Sequence, residues 1–357
     1  MTKVYVLLLI SLILTIMAKA QDVDYSFQEV YDIQSPANLS IHTNDGNIEV
    51  SPSNENNIRV FFLVKRNGRL VNMTRAELEE KVNLDISSDQ NKLEIKVSQK
   101  QNLGNWRNRV YVSFKIEAPV QTTCNLNTSD GNILAAGLEG SLKLKTSDGN
   151  IQLAKITGNV HARTSDGNIH ISQIEGACDL VTSDGNIHVR TVDGPLSGRT
   201  SDGNADVDAV NGSLNLVTSD GNIVANAVNG NLDLTTSDGD IQSGNTNGKA
   251  SLKTSDGNIS FQGHSGSMRA VTSDGDIRGN IFDLKESLYM TTNDGNINVT
   301  VPEKIGINLA IKASKINTDL NQFDGTSKDR SVNGRVNGGG IPVELTANDG
   351  NVTLSYR

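Results

Sequence analysis

Between residues 121 and 300 the apolar positions fall at fixed offsets from a recurring Asp-Gly dipeptide. With each Asp as position zero, +3 holds Ile133, Ile151, Ile169, Ile187, Ala205, Ile223, Ile241, Ile259 and Ile277. Position +5 is mostly small or aliphatic, as at Leu153, Ile171 and Val207, and +8 holds Leu138, Ile156, Ile174, Val192, Val210 and Val228. Upstream, −6 and −4 hold the pairs Leu142 and Leu144, Leu214 and Leu216, Leu232 and Leu234. Alternation within each run is the period-two pattern of a half-buried strand. The step from +5 to +8 breaks that parity and predicts a bend or bulge between them.

The dipeptide lies in Thr-Ser-Asp-Gly-Asn/Asp, with Asp130, Asp148, Asp166, Asp184, Asp202, Asp220, Asp238, Asp256 and Asp274 spaced 18 residues apart. The turn glycines are Gly131, Gly149, Gly167, Gly185, Gly203, Gly221, Gly239, Gly257 and Gly275. Asp294 follows after 20 residues, and outlying copies stand at Asn44-Asp45-Gly46-Asn47 and Asn348-Asp349-Gly350-Asn351. Ten residues after the motif Asp comes a second glycine, Gly140 in the first unit and Gly266 in the eighth. Each unit therefore holds two turns and two short strands. If one unit makes one coil, like residues stack on like residues and each coil touches only its neighbours. The predicted fold is all-β: a single-stranded, parallel β-helix or β-solenoid of 18-residue coils, right-handed, with irregular β-rich caps. Ten coils at roughly 4.8 Å per rung would span about 45–50 Å. An antiparallel meander uses the same Asp-Gly turns, but gains nothing from copying one ladder in fixed register.

The flanks divide the rest. Lys3, the apolar run Val4 to Met17 and the small-x-small site Ala18-Lys19-Ala20 read as a signal peptide over 1–20. No later segment is apolar enough to span a bilayer as a helix. Residues 21–120 predict a β-rich N-terminal cap with a short helix opened by the capping box Thr74-Arg75-Ala76-Glu77 and running to about Val82. Residues 121–300 are the solenoid repeats, and 301–357 predict C-terminal coils and a cap. Aromatics make up only 4% of the chain, which suits a thin core and argues against a membrane β-barrel with aromatic girdles. Residues 121–280 carry 10 Lys+Arg against 18 Asp+Glu, a balance that argues against a nucleic-acid partner. Cys124 and Cys178 occupy the same −6 column three units apart. That separation is too long for a disulfide, so both are expected as buried free thiols.

The Thr-Ser-Asp-Gly-Asn-Ile units resemble a bacterial family of unknown function that carries an adhesin label. So do Ile116-Glu117-Ala118-Pro119 before the first unit, and Gly338-Gly339-Gly340 with Leu345-Thr346-Ala347-Asn348-Asp349-Gly350-Asn351 near the end. The resemblance covers most of the chain beyond residue 20. It implies a β-solenoid, export, and residence at the cell surface, in the periplasm or outside the cell. It implies no catalytic residues.

Turn chemistry accounts for the motif: Asp capping backbone amides, Gly at positive φ, Asn joining an amide ladder, and the Thr column from Thr128 to Thr272 facing inward. The nine motif Asp residues are also the candidate calcium ligands, since a cation would relieve a stacked carboxylate column. The second turn lacks the matching Asp that calcium-binding nonapeptide rolls require. His170 and His188, at +4 on adjacent coils, are a candidate metal pair without a repeated third ligand. Near-identical acids give no differentiated pair for glycoside hydrolysis, and no nucleophile triad or phosphate loop is present. The expectation is a non-enzymatic solenoid needing no cofactor, calcium aside. It would bind a surface or envelope ligand, glycan or protein, with a calcium-stabilised repeat protein or an envelope-stress structural protein without an external ligand as the alternatives and a polysaccharide-acting β-helix enzyme last.

Overall fold

The computed structural model describes residues 25–100 and 109–357. The signal peptide expected at 1–20 lies outside the described residues. Among those described, no helix is long and apolar enough to cross a membrane.

Each repeat forms one coil of two strands, such as Leu142–Lys145 and Ile151–Thr157. Like strands of successive coils pair in parallel and in register, Leu142 beside Val160 and Ile151 beside Ile169. The 18-residue period is thus one turn of a parallel β-solenoid. The meander fails, because consecutive repeats pair in parallel. The columns at +3, −6 and −4 point inward, and Ile151, Leu142 and Leu144 are each at most 1% exposed. The interior is one continuous cluster only a few side chains wide, which is why so few aromatic fillers suffice.

The parity break has a backbone cause. At +7 stand Lys155, Gln173, Thr191, Ala209, Ala227 and Asn245, all with φ between 50° and 61°. One left-handed residue redirects the strand, so +8 faces inward again three positions after +5. Ile156 and Thr157 then form a short third side that pairs with Ile174 and Glu175 on the next coil.

The ends do not follow chain order. Ala37–His42 and Ile48–Ser53 form a coil that stacks directly on Thr122–Asn127 and Ile133–Ala136. The coil beyond it comes from later in the chain, Lys92–Gln99 and Tyr111–Pro119. Antiparallel strands Ile58–Arg66 and Val82–Asp89 close that end. The other end mirrors this. Ile341–Ala347 and Asn351–Tyr356 stack on residues 288–292 and on Ile297–Val301, while the earlier pair Ile307–Lys312 and Lys315–Thr318 lies outermost. Ser331–Val336 and Phe323–Lys328 complete that cap in antiparallel fashion. The helix is Arg75–Lys81, with the reciprocal Thr74–Glu77 capping box that the sequence predicts.

Candidate binding groove

The motif corner is held by its threonine. Thr146 Oγ1 reaches Ser129 O and Gly131 O of the preceding coil, both at 2.9 Å, and accepts the Gly149 amide at 3.2 Å. The same three contacts recur at Thr164, Thr182, Thr200, Thr218, Thr236, Thr254 and Thr272. The asparagines form the expected ladder: Asn150 Oδ1 accepts the Asn168 amide at 2.8 Å and its side-chain Nδ2 at 3.2 Å. Asp240 and Asp276 take the asparagine place and accept the same amides. The outlying turns join this ladder across 85 and 55 residues of chain, through Asn47 and Asn351.

Two expectations about this turn need correction. The motif Asp does not cap it: Asp130, Asp148, Asp166, Asp184, Asp202, Asp220, Asp238, Asp256 and Asp274 are exposed. The buried threonine hydroxyl two residues upstream already occupies the capping position. Nor do the motif glycines adopt positive φ. They are glycines because coils stack so closely there. A Cβ at Gly149 would lie 1.9 Å from Gly131 O, and the value at Gly167, Gly185, Gly203, Gly221, Gly239, Gly257 and Gly275 is 1.9–2.0 Å. Positive φ belongs instead to the second turn, 149° at Gly158 and 147° at Gly176.

The nine carboxylates therefore stand along one solvent-facing corner. The neighbouring oxygens are already engaged. Ser147 O receives the amides of Ser165 and Asp166, and Gly149 O receives Thr164 Oγ1. Calcium takes 6–8 oxygens, and this corner leaves it little besides the carboxylates themselves. Among the described residues no three His, Cys, Asp or Glu side chains converge as metal ligands.

The histidines are committed to local contacts. His170 and His188 are neighbours on adjacent rungs with ring centroids 5.7 Å apart. His188 Nδ1 lies 3.1 Å from Asp206, and its Nε2 accepts from Arg190 Nε at 3.2 Å. His161, on the other sheet, repeats the pattern with Asp179 at 2.7 Å and Arg163 at 3.0 Å. With both ring nitrogens engaged, neither His161 nor His188 offers a free lone pair to a metal or a substrate proton. Cys124 and Cys178 are buried free thiols three rungs apart, and burial pushes each up to about 12.

A furrow runs along the outer side of the sheet that contains Leu142–Lys145. Three adjoining cavities of about 710, 550 and 420 Å3 compose it. Ala177 and Cys178 join the first to the second, and Lys249 joins the second to the third. The furrow thus extends from Thr123 to Glu344 across most of the stack. Its floor is the −6 column. Its walls are the −7 and −5 residues, and −7 is mostly short, as at Ser141, Ala177, Pro195 and Ser213. Short side chains just after the second turn leave the backbone uncovered, which opens the channel. The run of short residues at −7 is its signal in the sequence.

One buried polar pair was also missed. His264 takes the +8 place, 1% exposed, with Nδ1 2.9 Å from Thr246 Oγ1 and Nε2 3.0 Å from Ser267 O. Burial pulls its pKa below the ordinary value of 6.5, opposed by the Ser267 carbonyl.

The stacked corners and sheets are matched by the Toastrack DUF4097 family over residues 34–246 and again over 196–355. The chain belongs to this family. No curated protein matches it. Two solved structures are similar to this Toastrack chain. One is described as a candidate cell adhesion protein from Clostridium sporogenes ATCC 15579, 13% identical over 93% of this chain and 99% of that one, with a TM-score of 0.19. The other is described as a candidate adhesin from Bacteroides fragilis NCTC 9343, 14% identical over 76% of this chain and 96% of that one, with a TM-score of 0.30.

Proposed function

We propose that this chain is an exported, non-enzymatic β-solenoid, an adhesin or cell-envelope binding scaffold, with the furrowed sheet as its contact face. The furrow is the observation that carries this reading. Successive rungs present the same exposed positions, so an extended ligand meets many weak contacts in line and gains avidity from their number. The alternative of catalysis finds little support. The motif acids share near-identical exposed settings, and acid–base chemistry needs two groups whose environments differ. The rings of His161 and His188 are closed off by Arg and Asp.

Protease shaving of intact cells, followed with an antibody to the repeats, tests the location. Loss of the repeat signal while periplasmic and cytoplasmic controls survive supports a surface adhesin. Full protection until the envelope is lysed refutes the adhesin and leaves the internal scaffold.

A further inference from the structure

Charge on the solenoid is sorted by face. Residues 121–280 hold 10 Lys+Arg and 18 Asp+Glu. Seven of those cations, Lys143, Lys145, Arg163, Arg199, Lys249, Lys253 and Arg269, stand at −7, −5 or −3, on or beside the furrow. Of the acids in this stretch only Asp179 and Asp233 share that face, with Glu344 at the furrow's far end; Arg163 lies 3.8 Å from Asp179, and Lys249 lies 3.2 Å from Glu286. The furrowed sheet therefore carries a positive surplus on a chain whose net charge is −9. The corners on either side are acidic, with the motif Asp column on one and Glu139, Glu175 and Asp193 on the other.

From this sorting we infer that the furrow binds a linear acidic glycan, a uronate-bearing chain lying parallel to the solenoid axis. This deepens the binding-face reading above and rests on it. The basic strip is one strand wide, about 13 Å for four residues. A single carbohydrate chain fits such a strip, whereas a wider polyanion such as a nucleic-acid duplex overlaps the acidic corners and is repelled. Single-stranded nucleic acid needs aromatic platforms for its bases. Along the furrow the aromatic is Tyr289, and its face is covered by the Arg269 guanidinium at 4.2 Å. The other groups suit hydroxyls. Asn125, Asn159, Asn215 and Asn231 donate and accept, and Asp179 and Asp233 accept. The cations supply charge-assisted bonds to carboxylates, and they fall in groups along the furrowed face: Lys143, Lys145 and Arg163 on two neighbouring rungs, Lys249, Lys253 and Arg269 on another two, and Arg199 between them.

The test is binding of the purified chain to a fluorescently labelled oligogalacturonate, with a neutral cello-oligosaccharide and a single-stranded oligonucleotide as comparisons, at low and physiological salt. The double variant Lys143→Asn/Lys145→Asn copies the residues already present one rung away at Asn125 and Asn127, so the fold is retained, which an unchanged melting curve checks. Arg190→Ser, on the opposite sheet, is the control. We expect the oligogalacturonate to bind in a salt-sensitive way, the double variant to weaken it about tenfold, and Arg190→Ser to leave it unchanged. No binding, equal binding of the neutral glycan, equal binding of the oligonucleotide, or equal loss with Arg190→Ser overturns the inference. Shaving reports location and this titration reports ligand, so the chain can pass the first and fail the second.

Discussion

Thr182 offers the sharpest test of how the corners are held. It is 3% exposed. Its hydroxyl lies 3.0 Å from both Ser165 O and Gly167 O and accepts the Gly185 amide at 3.2 Å. Thr182→Val keeps the shape and deletes these contacts. Ser165 O still receives the amides of Ser183 and Asp184, both at 2.9 Å. Gly167 O and the Gly185 N–H lose the hydroxyl inside the wall of the solenoid, where water does not replace it. A buried group stripped of its partner costs about 1–3 kcal/mol, so the substitution should cost about 2 kcal/mol. Thr182→Ser keeps the hydroxyl and removes one methyl, worth about 1 kcal/mol. The predicted order of stability is wild type, then serine, then valine. Urea unfolding followed by far-UV circular dichroism measures it, and amide exchange at Gly185 should accelerate in the valine variant alone. If valine equals or exceeds serine, the hydroxyl is not what pins the corner.

Four other outcomes follow from the same geometry. Gly185→Ala places a Cβ 1.9 Å from Gly167 O, a backbone atom that cannot swing away, and should cost about 3 kcal/mol or more in urea unfolding. Thr191→Gly relieves a β-branched residue held at φ 61° and should stabilise the chain by about 1 kcal/mol, seen as a higher melting temperature. Because folding lowers the pKa of His264, the unfolded chain takes up a proton first as pH falls. The stability linked to His264 is complete above about 6.5 and is lost as pH drops through the folded value. The urea midpoint should therefore fall between pH 7.5 and 5.5, and fall less in His264→Leu/Thr246→Val, with a remainder from His42, whose pKa burial also lowers. Adding a calcium chelator should leave the melting temperature unchanged; a clear drop would mean that the Asp column holds cations despite its engaged carbonyls.

Much of the solenoid is legible because a period of 18 residues maps directly onto rungs. The isoleucine column, the bend before +8 and the unbridged cysteines all follow from that register. The corner was only half legible. The sequence places its threonines inward, but the usual behaviour of Asp in turns points to Asp as the cap. What decides the matter is that Thr is buried where the next coil passes and Asp is not. The glycines likewise suggest a conformational role, although close stacking requires them and stacking is invisible within one repeat. The furrow escaped because it depends on short residues at −7, an absence of bulk and not a pattern of it. The order of the end coils is not written as periodicity at all. Its trace is the pair of isolated Asn-Asp-Gly-Asn turns at Asp45 and Asp349, each separated from the main array.

That exchange of end coils governs the order in which the chain can be completed. The coil built from Ile341–Ala347 and Asn351–Tyr356 is synthesised after the one outside it, yet stacks between that coil and the array. A chain emerging from N- to C-terminus can wind its middle rungs as they appear. The rung at 288–301 must then wait for residues more than 40 positions downstream, keeping an open strand edge until they arrive. Removing residues after 340 would not trim the outermost layer. It would take out an inner rung and leave the Ile307–Lys312 coil with no partner on its inward side.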